Sequence, residues 1–228
     1  MTLAILIPAY NEEKTIGKVI RTLSKKLSKI TKKKVIVIND GSTDETEKIA
    51  RKLGAMVITH LINRGLGAAL GTGFEYVRQN NFDLLITFDA DGQHNPNDIE
   101  PVIKPIVNKK ADISIGSRLK NPRGMPWYRI LGIWGLNIIT FIFFWVWTTD
   151  SQSGLRAFSR KAIDKIQIKA NKMEVSTEFF DEAQRHDLKV IEVPIRSIYT
   201  KYSLAKGQKN SNVFRILSKI IYRRFFSK

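Results

Sequence analysis

Two acidic residues, Asp89 and Asp91, form the group in this sequence whose spacing most directly indicates chemistry. They follow an apolar run at residues 84–88 that is typical of a strand buried on both faces of a sheet. Side chains two positions apart in an extended chain point to the same side, so the two carboxylates are expected to share one space. Neighbouring carboxylates repel each other unless one is protonated or a cation joins them. The pair therefore indicates a cation site, although a solvated acidic turn gives the same pattern.

The composition narrows the kind of cation. The sequence has no cysteine and only three histidines in 228 residues, which excludes disulfides and thiolate metal sites. Carboxylates favour hard cations such as Mg²⁺ or Mn²⁺, and Mg²⁺ commonly completes its coordination shell with phosphate oxygens of a substrate. We therefore expect Mg²⁺ or Mn²⁺ as a cofactor and a nucleotide diphosphate as a ligand.

Two more polar clusters follow predicted strands. One is PAYNEE, after an apolar run at residues 3–7, and the other is NDGSTD, after an apolar run at residues 35–38. Asp40, in the second cluster, is a candidate to accept hydrogen bonds from a nucleobase. Each cluster alone also fits a turn that leads into a helix. Because ligands of α/β proteins bind beyond the carboxyl ends of the strands, the three clusters together predict one crevice.

Strand and helix patterns alternate along the first half of the chain. Strands are predicted at 3–7, 35–38, 56–58, 84–88 and 113–115, and helices at 13–27, 43–53, 67–78 and 96–107. This alternation predicts an α/β fold with a mainly parallel, Rossmann-like sheet and helices on both faces. The second half is less regular, and it predicts strands at 154–159 and 190–195 around a helix at 174–185.

The formal net charge of +17 predicts a polyanionic partner, which would be a phosphorylated substrate, an anionic lipid surface or nucleic acid. The uncharged, aromatic-rich stretch at 130–149 favours interfacial or core helices within 127–149, although its length also permits a membrane span. The basic segment 213–228 carries an apolar face at helical spacing. It predicts an amphipathic helix at a membrane surface or, alternatively, a last helix packed on the core.

The motifs PAYNEE, NDGSTD, NRGLGAALGTG, DADGQH and DSQSGLRAF together resemble family 2 glycosyltransferases, and most of all the dolichyl- or polyprenyl-phosphate hexosyltransferases. The resemblance implies a GT-A fold, a divalent metal and inversion at the anomeric carbon. It further implies transfer of a hexose from a UDP- or GDP-linked sugar to a dolichyl or polyprenyl phosphate, by a peripheral or interfacial protein at the cytoplasmic face of a membrane. We expect one catalytic domain over 1–212, with a nucleotide-sugar half (1–117) and an acceptor half (118–212).

The resemblance also implies roles for individual residues. The predicted catalytic residues are Asp89, Asp91 and Asp150, and the predicted metal ligands are Asp91, Gln93 and Asp89. The predicted nucleotide-sugar contacts are Pro8, Ala9, Tyr10, Glu12, Asp40, Ser42, Gly67, Asp89, Ala90 and Asp91. The predicted acceptor contacts are Arg118, Arg129, Gln152, Lys201, Ser203 and Lys206. Gly67 lies in a glycine-rich segment after the third predicted strand, where close backbone packing is favoured over phosphate binding.

The acceptor is left open by these residues. An alcohol acceptor needs a general base, for which Asp150 is the candidate, whereas a lipid phosphate is already largely a dianion at neutral pH and needs cations to hold it. A hydroxyl group of a sugar, glycolipid or protein is therefore the alternative acceptor. A nucleic-acid-binding protein is a remote alternative, because no nucleic-acid motif accompanies the basic charge.

Overall fold

The apolar runs of the chain form the strands of one central seven-stranded sheet. The computed structural model describes residues 1–27, 32–144 and 146–198; the predicted contacts Lys201, Ser203 and Lys206 and the predicted helix 213–228 lie outside these ranges. The strands are β1 (Leu3–Ala9), β2 (Lys33–Asn39), β3 (Met56–Thr59), β4 (Leu84–Thr87), β5 (Ile113–Ser117), β6 (Arg156–Ser159) and β7 (Val190–Pro194). Their order across the sheet is β3-β2-β1-β4-β6-β5-β7.

The sheet is parallel except for β6, which runs antiparallel to both of its neighbours, β4 and β5. The strands predicted in the first half are therefore all present, and the predicted strand at 154–159 forms β6. Because β6 lies between β4 and β5, the two predicted halves of the chain share one sheet. The reversal brings the amino end of β6, and the residues before it, to the edge of the sheet where β1 and β4 end.

Helices cover both faces of the sheet. They are α1 (Ile16–Lys26), α2 (Thr46–Lys52), α3 (Leu66–Gln79), α4 (Ile99–Val107), α5 (Trp127–Phe144), α6 (Arg160–Lys165) and α7 (Val175–Arg185). Side chains alternate along β1, so that Leu3, Ile5 and Ile7 pack with α1 and α4, whereas Ala4 and Leu6 pack with α3, α6 and α7. This alternation builds two apolar cores and explains why β1 is apolar along its whole length.

Helix α5 exposes much of its apolar surface. Its buried side includes Ile133, Leu136, Asn137 and Thr140. The exposed residues recur at helical spacing and comprise Trp127, Tyr128, Leu131, Trp134, Ile138, Phe141 and Ile142. In the described part of the chain, no helix combines the length and the hydropathy needed to cross a bilayer.

Candidate active site

A cavity opens at the carboxyl ends of β1 and β4, beside the amino end of β6. Its volume is about 310 Å³. Residues predicted to bind the donor sugar or the acceptor meet in its wall, namely Pro8, Glu12, Asp89, Ala90, Asp91 and Gln152. The wall is completed on the other side by residues before and within β6 and α7, among them Ser153, Gly154, Arg156, Met173 and Phe179. The strand order therefore brings distant motifs to one site.

Hydrogen bonds from backbone N–H groups to side-chain oxygens hold the first two polar clusters together as a platform at this edge. Asn11, in a left-handed conformation (φ +52°), donates its N–H to Ser42 Oγ at 3.0 Å and accepts the Thr43 N–H at 2.9 Å. The Glu12 N–H donates to Thr46 Oγ1 at 2.7 Å. The predicted nucleotide contact Ser42 thus lies in this platform, while the neighbouring Tyr10 side chain is exposed and Ala9 is buried.

Asp40 is buried and organises the loop after β3. Its carboxylate contacts His60 Nδ1 at 2.7 Å and accepts the backbone N–H groups of Arg64 at 2.9 Å and Gly65 at 2.7 Å. His60 Nε2 in turn lies 2.9 Å from Thr72 Oγ1. In this arrangement Asp40 fixes the loop at the end of the sheet, and a direct contact with a nucleobase stays a prediction. His60 was not anticipated, because its partners are distant in sequence.

Asp89 is paired with a buried histidine. His94 Nε2 lies 2.8 Å from Asp89 Oδ2, and the His94 ring packs edge-on against Phe88. Burial works against ionisation of Asp89, but the attraction and hydrogen bond of His94 outweigh it, so the pKa of this carboxyl lies below its usual value. Burial likewise opposes the charged form of His94, yet Asp89 raises the pKa of this imidazole. Asp89 is therefore held as an anion in the cavity wall.

Asp91 has the opposite electrostatic environment. Its Oδ1 accepts the Gln93 N–H at 2.8 Å, across a turn in which Gly92 has φ +75°. Burial, the negative charge of Asp89 and, less strongly, that of Glu12 raise the pKa of Asp91 above its usual value. A cation between the two aspartates would relieve this repulsion, so the carboxylates present fit a hard divalent cation.

The donor set around this pair is incomplete without a substrate. Among the described residues, no three acidic or histidine side chains converge as a complete metal cage. A metal at Asp89 and Asp91 would therefore take further oxygens from substrate and water, as Mg²⁺ commonly does in nucleotide sites. The predicted ligand Gln93 is half-buried beside the pair, and its role as a ligand stays a prediction.

The reversed strand β6 contributes a buried cation that the sequence analysis missed. Arg156 is 2% exposed, and burial lowers its pKa to about 10, which leaves it charged at neutral pH. Its Nε donates to the carbonyl oxygen of Ser153, and its Nη2 donates to the carbonyl oxygens of Ser151 and Ser176. An arginine inside an apolar strand pattern is itself unusual, and that signal in SGLRAF would have identified it.

The glycine-rich segment serves packing. A Cβ added to Gly67 would lie 2.7 Å from the carbonyl carbon of Ala170, and the Ala170 N–H is held at 2.9 Å by the buried carboxylate of Glu178. Gly73 similarly lets α3 approach Leu6 of β1. These contacts favour the packing interpretation of Gly67 over a contact with the nucleotide.

Asp150 is fully buried and bound to Arg118. Its Oδ2 accepts the Arg118 N–H at 2.9 Å and Nε at 2.7 Å, and its Oδ1 accepts Nη2 at 2.7 Å. A general base needs an accessible carboxylate oxygen that faces the reacting group, so the catalytic role predicted for Asp150 is not supported by this geometry. Asp150 instead positions Arg118. The other predicted acceptor contact, Arg129, is half-buried on α5 and does not line the cavity.

The mainly parallel sheet and the acidic pair after β4 agree with a GT-A fold, and comparison with known proteins leads to the same class. Residues 4–167 match the model of glycosyl transferase family 2. The chain belongs to this family and is a glycosyltransferase. The predicted family, enzyme class and GT-A fold are therefore confirmed.

Relatives extend along nearly the whole chain. An uncharacterized protein of Methanocaldococcus jannaschii is 45% identical over 97% of this chain and 92% of its own length. A UDP-N-acetylglucosamine–dolichyl-phosphate N-acetylglucosaminyltransferase of Methanococcus voltae is 38% identical over 95% of this chain and 94% of its own. A crystal structure of glucosyl-3-phosphoglycerate synthase from Mycobacterium tuberculosis, with Mn²⁺, UDP-glucose and phosphoglyceric acid, has a TM-score of 0.74 at 20% identity, covering 96% of this chain and 77% of that one.

Proposed function

We propose that this enzyme transfers a hexose from a UDP-linked sugar to a polyprenyl or dolichyl phosphate, with inversion and with a bound Mg²⁺ or Mn²⁺. The cavity that joins Asp89 and Asp91 to the amino end of β6 is the observation that carries the proposal. The choice of UDP over GDP is supported by the UDP-sugar named for the Methanococcus voltae relative. The lipid phosphate is supported by the dolichyl phosphate in that same name.

The charge of each site residue and its position in the cavity wall indicate its proposed role. Asp89 and Asp91 would hold the metal, which when bound neutralises charge on the diphosphate leaving group. Asp89, kept ionised by His94, would stabilise the positive charge that develops at the anomeric carbon. Ser153 and Gly154 form the wall beside it and would fix the sugar for attack from the opposite face.

The acceptor assignment agrees with the geometry of Asp150. A phosphate acceptor is already a nucleophilic anion and needs no proton removed. The structure accordingly engages both oxygens of Asp150 with Arg118, which is 16% exposed, instead of presenting a free base. Lys201, Ser203 and Lys206, outside the described residues, are proposed to complete the binding of the acceptor phosphate.

We further propose that the exposed face of α5 contacts the cytoplasmic surface of a membrane. Trp134 and Trp147 lie 6.2 Å apart between ring centroids, and Phe141 packs on Trp147 at 5.6 Å. Clustered exposed aromatic rings are typical of surfaces that enter the headgroup region of a bilayer. The buried Asn137 of α5 hydrogen-bonds to Thr149 and Ser151, so this surface is joined directly to the segment that holds Asp150.

The proposal is tested by supplying UDP-N-acetylglucosamine, UDP-glucose or GDP-mannose together with either undecaprenyl phosphate or undecaprenol. We expect a metal-dependent sugar lipid that contains phosphate from a UDP-sugar and undecaprenyl phosphate, and none after chelation with EDTA. If the sugar is transferred only to undecaprenol, the proposed phosphate acceptor is wrong. If only GDP-mannose is used, the proposed UDP-sugar donor is wrong. Release of nucleotide from none of the donors would overturn the proposed activity.

A further inference from the structure

Unpaired polar atoms concentrate in the wall of the cavity. Of the five buried side-chain polar atoms that lack a hydrogen-bond partner among the described residues, three belong to cavity-lining residues. They are Gln152 Oε1, Ser153 Oγ and Arg156 Nη1. Buried polar groups are nearly always paired in folded proteins, so these three atoms require partners that a bound ligand or ordered water would supply.

Arg156 is held so that one part of its guanidinium stays available. Nε and Nη2 are occupied by backbone carbonyl oxygens at 2.8–3.2 Å, and the guanidinium carbon lies 4.8 Å from the centre of the Phe179 ring. Because the group cannot rotate without losing these contacts, Nη1 is a fixed donor. Phe179, Val175 and Met173 line the same cavity as Arg156 and give it an apolar wall.

A donor, an acceptor and an apolar wall in one cavity match the chemistry of a secondary amide that carries a methyl group. The amide oxygen would accept from Arg156 Nη1, its N–H would donate to Gln152 Oε1, and its methyl group would pack on Phe179 and Met173. A sugar hydroxyl group satisfies part of this set but leaves the apolar wall without a partner.

We propose that Gln152, Arg156 and Phe179 form a subsite that recognises the acetamido group of an N-acetylated hexose, which assigns Gln152 to the donor sugar instead of to the acceptor. This inference rests on the proposed UDP-sugar donor and names its class. Gln152 and Arg156 act here as specificity-determining residues, because a site built to hydrogen-bond a substituent rejects the analogue that lacks it.

The test measures binding, so that it is independent of the acceptor. Titration calorimetry in the presence of Mn²⁺ compares the binding of UDP-N-acetylglucosamine, UDP-glucose and UDP. The proteins are the full wild-type chain, Gln152→Leu and the matched control Gln184→Leu. Gln184 is exposed on α7. We expect the wild type and the control to bind the acetamido donor about tenfold or more tightly than UDP-glucose. Gln152→Leu should remove most of that preference.

Equal affinity of the wild type for the two sugar donors would overturn the acetamido subsite while the proposed enzyme stands. An equal loss for both donors in Gln152→Leu would do the same, because it would show a general role for this side chain. If UDP itself fails to bind, the proposed donor fails as well, and the two failures are thereby distinguished. Arg156→Lys, which keeps the charge but loses the planar donor, should shift the preference in the same direction as Gln152→Leu.

Discussion

The α-carbon of Gly154 faces the carboxylate of Asp89 so closely that an added Cβ would lie 2.5 Å from Asp89 Cγ. Gly154 precedes β6, and Asp89 follows β4, so the antiparallel pairing of these two strands creates the contact. The position of this carboxylate thus depends on the absence of a side chain in the opposite wall.

Gly154→Ala should move Asp89 within the cavity. We expect kcat to fall by about 100-fold, because displacements near 1 Å have effects of this size. Steady-state nucleotide release measures the loss. Gly71→Ala is the control, since a Cβ there meets its nearest neighbours at an ordinary 3.7 Å. A Gly154→Ala enzyme with wild-type kcat would show that the position of Asp89 is not critical.

Asp91→Asn should preserve the stability of the metal-free protein but remove the stabilisation by Mn²⁺ with UDP. Removing a carboxylate whose pKa is raised by burial and by Asp89 relieves repulsion, so the Tm of the metal-free protein should stay equal or rise. The additional rise in Tm caused by Mn²⁺ with UDP should disappear, since ligand stabilisation depends on affinity. Thermal unfolding with and without Mn²⁺ is the measurement, and the surface variant Asp164→Asn is the control. A retained Mn²⁺-dependent shift would place the metal elsewhere.

Arg118→Ala should destabilise the fold because it leaves the buried Asp150 without its partner. Breaking a buried ion pair from one side typically costs about 3–5 kcal/mol. Urea unfolding should show this decrease, and Arg118→Met combined with Asp150→Leu should recover much of it. If the single variant is as stable as the wild type, the pair contributes little to holding segment 149–153.

Asp44→Asn should lose stability in a pH-dependent way. Burial opposes ionisation of Asp44, but hydrogen bonds from Thr46 and Glu13 outweigh it and lower its pKa from the ordinary 3.8. The stabilisation is therefore complete above the unfolded-state value and is lost as pH falls through the lower folded-state value. The difference in unfolding free energy between wild type and variant, measured by urea titration, should be constant from pH 5 to 7 and shrink below about pH 4. A constant difference across this range would exclude the charge as its source.

Replacing Trp134 and Trp147 with serine should weaken binding to vesicles of phosphatidylglycerol and phosphatidylcholine. The two residues are 44% and 59% exposed, so a large part of each is available to contact a membrane. Burial of a large apolar side chain contributes about 1.5–3 kcal/mol, so the double variant should bind at least about tenfold more weakly. Vesicle co-sedimentation measures this, with the exposed Val107→Ser on α4 as control. If Val107→Ser weakens vesicle binding as much as the double variant does, the surface of α5 has no specific role in membrane binding.

Much of the fold was predictable because buried strands require continuous apolar runs, and these runs locate β1 to β5 within a few residues. The direction of β6 was not predictable, because a four-residue strand pattern carries no information about orientation. Helix α2 begins at Thr46 instead of near residue 43, since the Asp44 side chain occupies the Thr46 N–H before the helix starts.

The acidic pair was found from sequence because its partners are local, whereas the other charged groups depend on contacts across the fold. Asp40 and His60 are 20 residues apart, and Arg118 and Asp150 are 32 apart. The sequence therefore indicated Asp150 as a candidate general base, but it did not reveal that Arg118 binds both of its carboxylate oxygens. Arg156 is a different case, because two of its three carbonyl partners, Ser151 and Ser153, are close in sequence and its charge within an apolar strand pattern was a visible signal.

The antiparallel pairing of β5 with β6, in which Ile115 lies opposite Arg156, has an evolutionary consequence. The chain leaves the sheet after Ser117 and returns on the adjacent strand, so residues 118–155 form one excursion from neighbouring points. Such an excursion can be exchanged between related enzymes as a cassette, because its two ends are anchored side by side. The length and sequence of this segment can therefore vary between related enzymes without a change in the order of the strands.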